Sequence, residues 1–477
     1  MNSFNRSLRK LKSQSKSLVK RTTDNHIRLA VTGLSGAGKT AFITGLVNQL
    51  LTVSKDKGLP LWQVSREERL YGVKRTMQPD MTIASFDYQG AMNSLCADEP
   101  YWPESTKNIS ELRLALRYQP QKGLLAKFSD SSTLYLDIVD YPGEWLLDLP
   151  MLKLSYQQWS DQQYQRAAIL ALSQYYQPFI AACAGLDLSA SADEQVLKTI
   201  AKQYQELLVD SVETHGFYNA QPGRMLLPGE LADTPILAFF PLFGMQAAQL
   251  ETLEASSKSS YYHVLKRRYS SYVSQVVKPF YSDYFAKFDR QVVLVDCFTP
   301  LNRGKAQFDD MKLAIDGIMA SFHFGQSNLL KRLFSPRIDK LLFAASKVDH
   351  ITRSQQANVL SLLTQLVKHS QQHAQFEGCD VEVMAISAIK ATQHGMVQDG
   401  GAQIEVVKGR DMATHQEITL FPGEVPKQLP QAEFWDNQGF EFVNFAPPLL
   451  ATTPKDSHFE HIRLDHLLQY LLGDKLA

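Results

Sequence analysis

The chain has 477 residues, 44% of them hydrophobic, and its 49 lysines and arginines are balanced by 49 aspartates and glutamates. That length exceeds one ordinary domain, so a core with large additions is expected, and the charge balance excludes a nucleic-acid binder that works through a whole-surface positive field; no specific nucleic-acid binding is expected. The four cysteines, at 96, 183, 297 and 379, have no C-x-x-C spacing; they read as reduced core residues of a cytoplasmic protein and suggest no zinc site. The most apolar run, Ile236 to Met245, contains Pro241 and is about half the length needed to cross a bilayer.

The first twenty-one residues carry Arg6, Arg9, Lys10, Lys12, Lys16, Lys20 and Arg21 with no acid, while Phe4, Leu8, Leu11 and Leu18 share a helical face. This predicts a basic amphipathic helix over 1–22. It either lies on an anionic membrane surface or packs on the chain's own domain, and a solvated arm is the third reading.

Arg28-Leu-Ala-Val-Thr-Gly-Leu-Ser-Gly-Ala-Gly-Lys-Thr40 reads as a strand, a phosphate loop and the start of a helix whose apolar positions include Phe42, Leu46 and Leu50. Gly33, Gly38, Lys39 and Thr40 satisfy G-x-x-x-x-G-K-[ST], in which glycines let backbone N–H groups turn inward on a phosphate. The nucleotide-binding set is therefore Gly33, Ser35, Gly36, Ala37, Gly38, Lys39, Thr40 and Ala41. Lys39 is expected on the outer phosphates and the Thr40 hydroxyl on Mg²⁺.

Ser54 to Asn108 is too long for a plain connection and is expected to hold small elements of its own. Ser110 to Tyr118 alternates cleanly and Thr133 to Val139 is largely apolar, so the two predict an antiparallel hairpin on an otherwise parallel sheet. The second strand ends in Asp140-Tyr-Pro-Gly-Glu144, a D-x-x-G. At such a strand tip Asp140 is placed to hold the Mg²⁺ shell and the Gly143 N–H to sense a γ-phosphate, contacts that a switch loop gains and loses.

From Met151 to Arg290 long helical patterns take over, at about 156–184, 193–215 and 259–288, the last with several tyrosines, Lys266-Arg-Arg268 and a Pro279 expected to kink it. Its tyrosine and basic face is either packed and solvated or a partner surface. Strands resume at Gln291 to Asp296, at Arg337 to Ala345 and at Val381 to Ala388, with helices between them, which is the doubly wound arrangement that binds ligands at the carboxyl ends of its strands. Met396 to Pro430 suggests short strands or a hairpin. His461 to Leu472 is an amphipathic closing helix, expected to dock on the core, with partner binding as the alternative.

Ser346-Lys347-Val348-Asp349 turns a generic nucleotide site into a guanine candidate. Guanine presents N1–H and an exocyclic amino group side by side, which one carboxylate, Asp349, accepts together; adenine offers neither. The Lys347 stem can cover the ring, and the backbone of Ser387-Ala388 can donate to O6.

Gly33 to Thr40, Asp140 to Gly143, Ser346 to Asp349 and Ser387-Ala388 stand in the order of the G1, G3, G4 and G5 motifs of Ras-like GTPases. The whole chain resembles the bacterial YcjX-like family of P-loop proteins, through G-L-S-G-A-G-K-T, W-P-E-S-T followed by I-S-E-L-R-L, D-Y-P-G-E-W-L-L-D-L-P and H-I-R-L-D-H-L-L. The resemblance implies a cytosolic, stress-linked nucleotide-binding protein, often labelled an ATPase, encoded near a predicted membrane partner. Ser346 replaces the usual Asn or Thr, and Glu144 stands where Ras-like proteins carry a glutamine that orients water, so it is either catalytic or a switch-loop surface residue. Thr106 precedes the alternating strand as a switch threonine on Mg²⁺ does, with a cap or turn role as the alternative. No arginine finger is identifiable; Arg303, just after the fourth core strand, is the one arginine singled out.

The expected fold is an α/β P-loop NTPase with a Ras-like, mixed and mostly parallel sheet flanked by helices. The core divides into 23–150 and 290–394, around a helical insertion at 151–289, with an extension at 395–477. The expected ligands are GTP or GDP with Mg²⁺, held by Thr40, Thr106 and Asp140, with Lys39, Gly143 and Glu144 in slow hydrolysis. The expected location is cytoplasmic, with an inner-membrane protein or the membrane surface as candidate partner. Two rivals stand beside this reading: an ATPase on the same fold, and a nucleotide-dependent interaction protein with negligible turnover.

Overall fold

The structure is a computed structural model that describes residues 26–56, 59–121, 130–321, 338–437, 440–450 and 458–477. The helix expected over 1–22 lies outside the described residues.

Among the described residues, eight strands form one sheet: β1 (His26–Gly33), β2 (Leu70–Thr76), β3 (Ala84–Ser85), β4 (Ser110–Tyr118), β5 (Ser132–Asp140), β6 (Arg290–Val295), β7 (Lys340–Ala345) and β8 (Asp380–Ala385). Their spatial order is β2-β4-β5-β1-β6-β7-β8, with β3 beside β4. β5, β1, β6, β7 and β8 run parallel. β4 is antiparallel to both β5 and β2, which is the expected hairpin, with Ser110 opposite Asp140 and Tyr118 opposite Ser132. The long stretch before it does contain small elements, namely the helix Gln63–Arg66, β2, β3 and the helix Tyr88–Leu95.

The central parallel strands β1, β6 and β7 are mostly apolar on both faces because helices cover both, while the edge strand β8 exposes Asp380 and Glu382. Their period of two sends Leu29 and Val31 of β1 into one core and Ala30 into the other, and sends Val292 and Leu294 of β6 opposite to Val293 and Val295. The first core lies under α1 (Lys39–Asp56), which follows β1 directly, and under the closing helix Leu464–Leu472. That helix docks as expected, burying Leu464, Leu467, Leu468, Leu471 and Leu472. Its end is tied down by Arg290 of β6, fully buried, whose Nη1 donates to Asp474 at 2.7 Å and to the Leu471 carbonyl.

The second core lies against the helical segment between β5 and β6 and against the helices Lys305–Met319 and Gln356–Leu366. The helix expected over 156–184 is divided into Tyr156–Gln165, Ala167–Leu170 and Tyr176–Ala184; the first begins at a Ser155 capping box. The helix expected over 259–288 runs as Tyr261–Tyr272, a π turn at Val273–Val277, and Lys278–Asp283. Pro279 supplies the reason, since it has no N–H to continue an α ladder and its ring crowds the preceding turn. Tyr261, Tyr262, Tyr269 and Tyr272 are buried, Lys266 pairs with Glu254 and Arg268 with Glu194, so this face is a packed one.

After β8 the chain forms a second, antiparallel sheet of β9 (Thr392–Asp399), β10 (Ala402–Arg410) and β11 (Glu417–Leu420). The pairing of β10 with β11 matches the expected hairpin, while β9 starts a little before the 395 boundary read from sequence. Of the cysteines, all free, only Cys297 is buried among the four; Cys96, Cys183 and Cys379 are partly exposed, short of the core positions expected. No helix among the described residues is long and apolar enough to cross a membrane.

Candidate functional site

The expected site residues gather at the carboxyl ends of β1, β5, β7 and β8, on the edge of the sheet where strands give way to loops. β1 ends at Gly33, and the loop that follows turns at Gly36 and Gly38, both at positive φ (76° and 81°), before α1 begins at Lys39. Only glycine adopts such φ values without strain, so the two glycines let the loop fold back on itself. Lys39 returns over it and donates from Nζ to the Gly33 carbonyl at 2.8 Å. Ser35 and Gly36 are exposed, and Ala37 is buried beneath the loop, its N–H donating to the Leu34 carbonyl.

The D-x-x-G loop lies directly against this cradle. A Cβ added to Gly143 would stand 2.0 Å from the Gly33 carbonyl oxygen and 3.2 Å from Lys39 Nζ, so only glycine fits there. Glu144 follows, half-buried. Tyr141 points the other way, into the core, where its hydroxyl bonds to Thr32 Oγ1 at 2.5 Å and its ring stacks on Phe288.

Thr40, Thr106 and Asp140 converge. The Thr40 hydroxyl lies 3.3 Å from that of Thr106 and also donates to the Glu104 carbonyl at 3.1 Å, while the Thr106 hydroxyl donates to Asp140 Oδ2. Asp140 is 1% exposed, and its other oxygen, Oδ1, is buried with no hydrogen-bond partner. Burial pushes its carboxyl up to about 6, against the opposing pull of the Lys39 charge and the Thr106 hydrogen bond; the Glu144 charge pushes the same way as burial. A carboxylate held dry, with one oxygen unanswered and two hydroxyls beside it, suits a hard cation with oxygen ligands.

The base side is more closed. Lys347 adopts φ 60° after β7, and its Nζ pairs with Asp296 at 2.8 Å. Asp349 is 1% exposed; Oδ2 accepts from the Ala391 N–H at 2.7 Å, and Oδ1 is buried without a partner. His350, next to it, stacks on Phe442 and meets Phe445 edge-on. Of the Ser387-Ala388 backbone expected to face a base, the Ser387 N–H is given to the Ile462 carbonyl. The two sides meet through α1, where a Cβ on Gly45 would stand 2.7 Å from the Ala388 carbonyl oxygen.

Three participants were not foreseen. Asp296 follows β6 directly, much as Asp140 closes β5, and an acid at the end of an apolar strand was a readable signal. Trp102 donates its indole N–H to the Phe445 carbonyl at 2.8 Å and so ties the loop that carries Thr106 to the C-terminal extension. Ala391 acts through its backbone and carries no signal in its side chain. Arg303 packs against Gly216 of the helical segment, where a Cβ would stand 1.8 Å from its Nη1, and takes no part in the convergence on Asp140.

The family model of the YcjX-like family matches residues 27–476. A Shewanella oneidensis protein named Ras-like GTPase YcjX is 63% identical over 479 aligned residues, covering 98% of this chain and 99% of that protein. An Escherichia coli K12 protein of the same name is 45% identical over 471, covering 98% of this chain and all of its own length.

Proposed function

The chain belongs to the YcjX-like family, and from that premise and the geometry above we propose that it binds guanine nucleotide at the carboxyl edge of a Ras-like P-loop sheet and hydrolyses GTP slowly. The observation that carries this reading is the convergence of Thr40, Thr106 and Asp140 beside a glycine cradle closed by Lys39 and Gly143. The strand order and the position of β4 support the fold assignment, and the names of the two relatives support the nucleotide.

In this reading Lys39 exchanges the Gly33 carbonyl for phosphate oxygens, and the loop amides from Gly36 to Thr40 answer the remaining charge. Thr40, Thr106 and Asp140 would hold Mg²⁺, the unpartnered Asp140 Oδ1 being the atom that calls for it, and the ion would supply positive charge against the phosphates. In this reading the Gly143 N–H, on the loop that lies against Lys39, reads the terminal phosphate, and Glu144 orients water. Catalysis of this kind is electrostatic, each well-placed donor contributing roughly a hundredfold or more. Contacts that Thr106 and Gly143 make only with a triphosphate would make the two loops a switch. We read the helical segment between β5 and β6 as an insertion at 151–289 and the chain from 395 onward as an extension.

One observation favours a second reading, an ATPase on the same fold: Asp349 already accepts a hydrogen bond from Ala391 and is almost fully covered. Phosphate release from GTP and from ATP, each with Mg²⁺ and each challenged by the other nucleotide, separates them. Release from GTP that ATP does not suppress is expected; equal release from both would reject the guanine assignment.

A further inference from the structure

The helical segment between β5 and β6 grips the D-x-x-G loop at one place. After Gly143 the chain runs on as a 3₁₀ helix, Gly143–Lys153, and the stretch 221–227 lies across it. A Cβ on Gly223 would stand 1.8 Å from the Glu144 carbonyl oxygen, so the two backbones touch and no other residue fits. The Gly223 N–H donates to Asp148 Oδ1 at 2.7 Å, and the Arg224 N–H donates to Oδ2 at 3.3 Å. Tyr272, from the helix that precedes the π turn, donates its hydroxyl to the same Asp148. Asp148 is 2% exposed. Its neighbours on the 3₁₀ helix are held as well: the Leu147 carbonyl accepts from Gln221, and Trp145 gives its indole N–H to the Leu227 carbonyl at 3.1 Å beneath the Arg224 guanidinium.

A buried carboxylate that accepts three hydrogen bonds from one neighbouring segment resists displacement, because breaking them leaves the charge without water. A switch loop gains from the opposite property. The geometry points to a division of labour: Tyr141 anchors the start of the loop in the core and Glu144 to Asp148 are fixed to the helical segment, so Pro142 and Gly143 span two anchors. We propose that Gly223 and Asp148 are positioning residues, forming a clamp that sets where Glu144 and Gly143 stand relative to the phosphate cradle. The clamp thereby controls the rate of hydrolysis with little effect on nucleotide affinity. This proposal rests on the hydrolytic reading above, and it deepens it by assigning the helical segment a part in turnover.

The test uses the full-length protein with Gly223→Ala and, as a milder variant that adds no atoms, Tyr272→Phe. Hydrogen exchange of the nucleotide-free protein is expected to show the amides of 143–149 opening about tenfold faster in both variants, with those of β1 unchanged. Turnover of GTP is expected to fall by about tenfold or more in kcat, since a shift of about 1 Å in a reacting group has effects of that order, while KM and GDP affinity stay within about threefold. Unchanged exchange at 143–149 in a folded Tyr272→Phe protein would overturn the clamp, as would faster exchange with unchanged kcat. A wild-type protein that binds but never hydrolyses GTP would refute the hydrolytic reading and with it the control of rate assigned here, whereas binding with turnover and no exchange difference would refute the clamp alone.

Discussion

Replacing Asp140 by asparagine is expected to stabilise the nucleotide-free protein at neutral pH while abolishing its response to Mg²⁺. The carboxyl is almost fully buried, one oxygen takes the Thr106 hydroxyl, and the other has no partner. Its rise from the ordinary 3.8 to about 6 corresponds to about 3 kcal/mol against the charged folded state. The sign follows from proton binding. Below pH 3.8 both folded and unfolded chains hold the proton and nothing is lost; between 3.8 and about 6 the folded state keeps a proton that the unfolded chain has released, so stability falls as pH rises. Above about 6 the full cost stands. The amide introduced by Asp140→Asn keeps the shape and carries no charge, so the variant's advantage over wild type should grow by up to about 3 kcal/mol between about pH 4 and about pH 7.5. Urea denaturation midpoints of the two proteins across that range, without nucleotide, measure the gap. With GDP and Mg²⁺ the order should reverse, because only the carboxylate gains from the cation. A gap that does not change with pH would refute the argument.

Lys39→Ala removes the cation that closes the cradle and should lower GDP affinity by about a hundredfold in equilibrium dialysis, since charge-assisted contacts to phosphate are the strong ones; undiminished binding would place the phosphates elsewhere. Asp349→Asn should turn preference from guanine toward xanthine nucleotides by about a hundredfold or more, read by competition between GDP and xanthosine diphosphate; an unaltered GDP affinity would mean that the carboxylate serves only Ala391. Arg290→Ala strips the buried guanidinium from the Leu471 carbonyl and from the half-exposed Asp474 and Asp339, and should cost about 2 kcal/mol in chemical denaturation, with the closing helix exchanging first; a cost under about 0.5 kcal/mol would show that the apolar face of that helix suffices.

Local pattern carried much of this fold. The clean alternation of Ser110 to Tyr118 and the apolar run of Thr133 to Val139 specified a hairpin, because a slip of one residue would turn every side chain over. The convergence of the phosphate loop, Asp140, Gly143 and Thr106 was legible for a related reason, since the expected roles ask for a residue type at a strand tip or a backbone that only glycine allows. What escaped reading is tertiary. Nothing near Ser387 in the chain announces that Ile462 will take its N–H, and nothing near Asp349 announces the Ala391 amide. The helical pattern over 156–184 carried one warning, Pro178, which sits in the first turn of Tyr176–Ala184; the break after Gln165 had no such mark. Gly223 carries no signal of its own in the sequence; only the approach of the Glu144 carbonyl shows why no side chain is tolerated there.

The central claim is that one site, built from Gly33 to Thr40 at one end and Lys347 to Asp349 at the other, takes a guanine nucleotide. Calorimetric titration of the full-length protein with GDP, GTP, ADP and ATP in the presence of Mg²⁺ tests it most directly. Binding of GDP and GTP alone, lost together in Lys39→Ala and lost for guanine in Asp349→Asn, is the predicted result. Equal or stronger binding of the adenine nucleotides would contradict it and leave Asp349 as a structural carboxylate beneath Ala391.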